Sequence, residues 1–295
     1  MKIFYINLDE RLDRRHFQES QLSKLGLESE RICAVKIDNP IVFEHINDNQ
    51  LTTLRPGEIA CTLSHIKSWN EILNQNLKHA VVLEDDAVLS KNFKTAIKKI
   101  EESNLQFDLI RIELRYGKPV YISKPYLEID ASSHYKLCKC FESMSGSAGY
   151  IISSSLIKKI INSKILFSRP IDLCFFGDNS IFFNKYRCFH IIPALVTQSD
   201  QLDDVNFTEI SKTSITLRED AKNKKESKLI HELIRPFNQL INLWKITLKI
   251  LLIVLIRRDI STNLLLGIFS PLIKYKNRTR KLLTINKSKE WITFH

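Results

Sequence analysis

Four apolar residues, Ala80-Val81-Val82-Leu83, run without interruption into three acids, Glu84-Asp85-Asp86, and a second apolar group, Ala87-Val88-Leu89, follows. An unbroken apolar run of this length predicts a strand buried on both faces, as in a parallel sheet. Lys2 to Leu8 reads as the first strand, followed by a polar helix from about Asp9 to Leu25 that Gly26 stops. Pro56-Gly57-Glu58 opens the clearest helix of the chain: Ile59, Leu63, Ile66, Trp69, Ile72 and Leu73 recur at three- and four-residue spacing and form one apolar face. That helix ends near Asn76 and feeds the Ala80 strand, so the local order is helix, strand, acids.

The rest of the body continues the alternation. Glu30 to Ile37 predicts a second short strand, and 41–53 a loop with one helical turn. Asn92 to Ser103 is a basic amphipathic helix, and Phe107 to Glu113 a strand that places Arg111 and Glu113 on one face by its period of two. Residues 115–142 read as hairpins and irregular connections. Gly146 and Gly149 stand just before the apolar Tyr150-Ile151-Ile152, where close backbone approach to a ligand or to another strand is expected. Ser153 to Ser155 cap a helix to about Asn162, and His190 to Gln198 is the last strand of the body. Strands alternating with helices predict an α/β class with a mostly parallel central sheet flanked by helices.

Ligands of open α/β sheets bind beyond the carboxyl ends of strands, where Glu84, Asp85 and Asp86 fall. Adjacent carboxylates repel one another, and a hard divalent cation that also bridges substrate phosphates relieves that repulsion; a solvated acidic turn is the alternative. Arg11, Arg14 and Arg15 begin the first helix, a place suited to phosphate or to an ordinary solvated face. Ser64 and His65 lie about one turn from Cys61 on the long helix, where a neutral imidazole serves structure or contacts a hydroxyl. Asp172 is an acid inside an apolar run, costly unless paired or used, and otherwise a helix cap.

Composition changes this picture in one respect. Of 295 residues 44% are apolar and 26% charged, enough for a packed core. The net charge of +11 is concentrated: 221–295 carries 16 Lys/Arg against 4 Asp/Glu, so the remainder is close to neutral. This divides the chain into a body, 1–215, and a basic helical appendage, 216–295. Within the appendage, 240–256 is strongly apolar, interrupted by Lys245 and Lys249 and followed by Arg257-Arg258. Such a helix is expected to lie in the interface of an anionic membrane; a true span and a core or dimer helix are the alternatives. A nucleic-acid binder would interleave basic and aromatic residues on the body, so nucleic acid is not an expected partner. The opening Met1-Lys2-Ile3-Phe4-Tyr5-Ile6 meets Asn7, Asp9 and Glu10 at once and reads as a strand, not as a secretory segment. The six cysteines show no Cys-x-x-Cys spacing and are expected as reduced thiols, mostly in the core.

The ordered series Tyr5-Ile6-Asn7-Leu8 with Arg11, Arg14 and Arg15, Gly57-Glu58-Ile59-Ala60-Cys61-Thr62-Leu63-Ser64-His65, Leu83-Glu84-Asp85-Asp86, Gly146-Ser147-Ala148-Gly149-Tyr150, Ile171-Asp172 and Pro193-Ala194-Leu195 resembles glycosyltransferase family 25. Within that family it is most similar to the bacterial lipooligosaccharide galactosyltransferases, over roughly 2–200. The resemblance implies a GT-A type fold, a UDP-sugar donor and a lipid-linked oligosaccharide acceptor. It also implies an inverting transfer and Mn²⁺, or Mg²⁺, at Glu84-Asp85-Asp86. On that footing Asp172 is expected as the base, with Glu113 second. Asn7, Arg11, Arg14 and Asp85 would contact the nucleotide, and Ser64, His65, Gly146 and Gly149 would shape the sugar pocket. The implied location is cytoplasmic, on the inner face of the bacterial inner membrane. A metal-dependent nucleotide-sugar hydrolase and an inactive nucleotide-sugar-binding protein remain open as alternatives.

Overall fold

A computed structural model describes residues 1–48, 54–113, 123–130, 135–139, 145–177, 180, 182 and 185–202. The appendage at 216–295, its apolar stretch 240–256 and the boundary near 215 lie outside the described residues.

Strand β1 (Lys2–Asn7) leads into helix α1 (Leu12–Lys24), which ends at Gly26 with φ +59°, a left-handed conformation that glycine adopts freely. Strand β2 (Glu30–Cys33) is shorter than its apolar pattern predicts. Helix α2 (Pro40–Asp48) occupies the stretch read as a loop with one turn. Its fully buried Val42 packs with Ile59, Ala60 and Leu63 of the next helix; tertiary packing there overrides a weak local pattern. Helix α3 (Pro56–Asn74) begins as expected, with Pro56 at its first position and the Glu58 carboxylate accepting the Arg55 N–H at 2.8 Å.

The predicted Ala80 strand is β3 (His79–Glu84), and Ala87–Leu89 forms a separate strand, β4. Then come α4 (Phe93–Glu102), β5 (Leu109–Arg111), the pair β6 (Leu127–Asp130) and β7 (Tyr135–Cys138), β8 (Gly149–Ser153), α5 (Ser154–Ile160) and α6 (Ile171–Phe176). The final apolar stretch divides into β9 (Cys188–Ile192) and β10 (Val196–Gln198). One strand was expected over His190–Gln198. Pro193, lacking an N–H, cannot continue the ladder, and the chain leaves the main sheet there to pair β10 with β4.

The main sheet has the order β2-β1-β3-β8-β5-β9-β7-β6. It is mixed. β2, β1 and β3 are mutually parallel, as are β5 and β9, whereas β8 and β7 run against their neighbours. Alternate residues of β3 feed two cores: Ala80 and Val82 join Trp69, Ile72 and Leu156 on one face, while Val81 and Leu83 join Leu22, Phe93 and Ile97 on the other. All four apolar side chains of the run are fully buried, each Val or Leu contributing about 1.5–3 kcal/mol. Helices on both faces make this an α/β architecture, as the alternation of elements predicts. No described helix is long and apolar enough to cross a membrane.

Candidate active site

Parallel pairing of β1 and β3 brings their carboxyl ends to one edge of the sheet, with Ile6 opposite Glu84. Asn7 and the three acids are therefore neighbours. The Asn7 amide donates to Asp85 Oδ2 at 2.8 Å and to the Arg11 carbonyl at 3.0 Å. From the first turn of α1, Arg14 turns inward and places Nη1 2.7 Å from Asp85 Oδ1 and 3.5 Å from Asp86 Oδ2. Further along the same helical face, the Gln18 and Gln21 amides donate to the Ala87 carbonyl, and Gln21 Oε1 accepts the Leu89 N–H at 2.8 Å. This polar stripe fixes the acidic turn and the entry to β4.

The three acids are not equivalent. Asp85 has one oxygen engaged by Asn7 and the other by Arg14; burial still pushes its carboxyl upward against both. Burial also pushes Asp86 up to about 8, opposed by Arg14 and reinforced by the charges of Glu84, Asp85 and Glu113. Its Oδ1 is buried without a hydrogen-bond partner. Glu84 ends β3; burial works upward on it, but His65 and Ser147 outweigh that and hold its carboxyl low. Ser147 Oγ donates to Glu84 Oε1 at 2.6 Å.

Because β8 runs antiparallel to β3, its start lies at the same edge, and the Glu84 N–H donates to the Ala148 carbonyl at 3.0 Å. Two carboxylates hold the glycine loop that precedes β8. Glu113 Oε2 accepts the Ala148 N–H at 2.8 Å, and Asp172 Oδ2 accepts the Gly146 N–H at 2.8 Å. Asp172 also accepts the Leu173 N–H, so it sits within the first turn of α6 and not at its cap, which is Pro170. Gly146 has φ +103°, and a methyl group at its Cα would run into the Glu113 carboxylate. Arg111 donates to the Ser145 carbonyl, lies 3.7 Å from Glu113 and stacks over Phe176 at 4.9 Å. Both Arg111 and Glu113 side chains are wholly buried, whereas Asp172 is half-buried.

On α3, Cys61 and His65 share a face at i and i+4. His65 is buried; Nδ1 lies 2.8 Å from the Tyr150 hydroxyl, which also accepts from Trp69 Nε1 at 2.9 Å. His65 Nε2 faces Glu84 Oε1 at 3.5 Å. One ligand atom each from Cys61, His65 and Glu84 fall within 4.8 Å of one another. Burial pushes the half-buried Cys61 thiol well up, with the Glu84, Asp172 and Asp86 charges adding to it.

The fold thus gathers Asn7, Arg14, His65, Glu84, Asp85, Asp86, Glu113, Gly146 and Asp172 along one edge. Three expected site residues stand differently. The Ser64 hydroxyl is committed between the Ala60 carbonyl and the Val35 N–H. Arg11 turns its guanidinium onto Asp13, with Nη2 2.7 Å from Oδ2. Gly149 makes its close approach to Val196 and Ile112, neighbours in the fold. Sequence reasoning did not find Cys61, Tyr150, Arg111, Gln18 or Gln21 as parts of the site, while Ser147 lies within the Gly146–Gly149 loop expected there. For Gln18 and Gln21 a signal existed: with Arg14 they are polar residues on one face of α1.

The description "Glycosyltransferase family 25 (LPS biosynthesis protein)" matches residues 1–175. The lipooligosaccharide biosynthesis protein lex-1 of Haemophilus influenzae is 27% identical over 207 residues, covering 64% of this chain and 62% of that protein. The lipooligosaccharide biosynthesis protein lic2B of Haemophilus influenzae is 27% identical over 212 residues, 68% of this chain and 76% of that protein. Human procollagen galactosyltransferase 2 is 32% identical over 132 residues, 38% of this chain and 20% of that protein. The chain thus spans less than two thirds of lex-1 and a fifth of the human protein. With the family match extending from β1 into α6, across every carboxylate described above, the chain belongs to glycosyltransferase family 25.

Proposed function

We propose that this protein is a glycosyltransferase that moves a hexose, galactose, from a UDP-sugar to the oligosaccharide of a lipooligosaccharide core, with inversion at the anomeric carbon. The observation that carries the proposal is the edge where β1, β3 and β5 end: a buried set of carboxylates with one oxygen, Asp86 Oδ1, left without a hydrogen-bond partner. Four acids around that point, Glu84, Asp85, Asp86 and Glu113, exceed what Arg14 and Arg111 compensate. The donor set fits an oxygen-seeking divalent cation, Mn²⁺ or Mg²⁺. Asp86 would hold it, with Glu84 beside it and Asp85 kept in place by Asn7 and Arg14. When bound, the ion supplies Lewis-acid stabilisation to the departing diphosphate.

The protein's own residues carry the remaining steps. Asn7 and Arg14 orient the acidic turn. The Gly146–Ala148 backbone, held by Glu113 at Ala148 and by Asp172 at Gly146, shapes the sugar pocket. Asp172 is half-buried and stands at the entrance to that loop, so it serves as the base that takes the proton of the acceptor hydroxyl. The acceptor oxygen then bonds to the anomeric carbon as the bond to the diphosphate oxygen breaks, and UDP leaves. Wholly buried Glu113 acts as a positioning residue. The basic segment 216–295 carries charge and apolar residues suited to the anionic inner face of the membrane that holds such acceptors.

The test is UDP release from a panel of UDP-sugars, with Mn²⁺ or a chelator, each with and without a truncated lipooligosaccharide acceptor. Acceptor- and metal-dependent release from one donor supports the proposal. Equal release without acceptor would make the protein a nucleotide-sugar hydrolase, and binding of UDP without turnover an inactive binding protein.

A further inference from the structure

We infer that Cys61, His65 and Glu84 form a second cation site, adjoining the Asp86 site at Glu84, for a borderline divalent ion of the Zn²⁺ class that pins α3 to the end of β3. Hard ions such as Mn²⁺ and Mg²⁺ prefer oxygen donors, whereas a thiolate, an imidazole nitrogen and one carboxylate oxygen are a donor set for zinc. The three ligand atoms lie within 4.8 Å of one another, and His65 Nε2 is 3.5 Å from Glu84 Oε1. Tetrahedral bonds of zinc to nitrogen, oxygen and sulfur place ligand atoms roughly 3.3–3.7 Å apart. The cluster is therefore close to ligand spacing and needs only small side-chain adjustments to close.

The second observation is independent of that spacing. His65 is 1% exposed, yet its Nε2 has no hydrogen-bond partner. A buried polar atom left without a hydrogen bond is costly, and this one faces Glu84 Oε1 at 3.5 Å without making one. The other ring nitrogen is held at 2.8 Å by the Tyr150 hydroxyl, itself fixed by Trp69. Zinc-bound histidines are oriented in this way, by a hydrogen bond at the nitrogen that does not face the metal. Ser147 Oγ donates to Glu84 Oε1, the oxygen that faces His65, and so holds that carboxylate in place. Charge agrees as well: one dication, one thiolate and one carboxylate sum to zero, which suits a site largely withdrawn from water. Cys61 and His65 come from one helical face and Glu84 from the strand that α3 feeds, so the ion would set the angle at which Glu84, and with it the Asp85–Asp86 turn, leaves β3.

The experiment needs neither donor nor acceptor, so it fails or succeeds apart from the transfer reaction. The full-length protein is stripped with a chelator and titrated with Co²⁺, then with Zn²⁺. The expected result is one equivalent of Co²⁺ giving a thiolate-to-cobalt charge-transfer band, displaced by Zn²⁺ and not by excess Mn²⁺. Cys61→Ser should abolish the band, while Cys33→Ser, which removes the other half-buried described cysteine, should leave it intact. Tyr150→Phe should keep the band but weaken Co²⁺ binding about 10–100-fold. Circular dichroism confirms that each variant is folded. A wild-type protein without a thiolate band, or a band that survives in folded Cys61→Ser, overturns the site.

Discussion

Arg14 Nη1 lies 2.7 Å from Asp85 Oδ1 and 3.5 Å from Asp86 Oδ2, with both partners nearly buried, and so a cation from the first turn of α1 compensates acids 71 and 72 positions later. Removing one partner of a buried pair strands the other. Arg14→Ala should therefore destabilise the protein by about 3–5 kcal/mol, read from urea unfolding, and should lower donor turnover through the displaced acidic turn. A loss below about 1 kcal/mol, the scale of an exposed pair, would show that Asp85 and Asp86 do not depend on it.

Asp172 is half-buried and accepts two backbone N–H groups, from Gly146 and Leu173. Asp172→Asn keeps one oxygen acceptor for the loop but cannot take a proton. We expect a fall in kcat of about 10²–10⁴-fold, with UDP affinity changed much less and the fold retained. Near-normal turnover would remove Asp172 as the base.

At Gly146 the left-handed φ and the adjacent Glu113 carboxylate both exclude a side chain. Gly146→Ala should cost about 1–3 kcal/mol of stability and should raise KM for the sugar donor by shifting the Ser147–Ala148 backbone. Thermal unfolding and donor kinetics measure the two effects. An alanine variant equal to wild type in both would mean that the loop has an alternative path.

Far from the site, Asp108 accepts three hydrogen bonds from Arg187 and so joins the starts of β5 and β9. Burial pushes its carboxyl up, but Arg187 outweighs this and holds it below its usual value. A lowered folded pKa means stability that is present above the ordinary carboxylate range, about pH 4, and lost as pH falls through the lowered value. Arg187 is 53% exposed, so solvent screening reduces the contribution to about 1 kcal/mol. Asp108→Asn should flatten the acid side of the stability profile by that amount without affecting donor binding; an unchanged acid limb would contradict it.

The sequence by itself determined the alternation of elements, the run Ala80–Leu83 and the strand end on which Glu84, Asp85 and Asp86 fall. These follow from short-range rules: which side chains repeat at two or at three to four residues, and which residues start and stop a helix. It also placed Cys61 and His65 on one helical turn. It did not show that α2 is a helix, because Val42 is stabilised by packing on α3 and not by a local pattern. Nor could it divide the last apolar stretch, since β10 is defined by its pairing with β4. Only the tertiary structure decided the partners at the site: Arg14 with Asp85, Glu113 with Ala148, Asp172 with Gly146, and His65 between Tyr150 and Glu84. A residue's type states what it can bond to, but the register and direction of distant strands decide what it meets. The antiparallel entry of β8 between two parallel blocks, which no local periodicity encodes, carries the glycine loop to the edge where the acids stand.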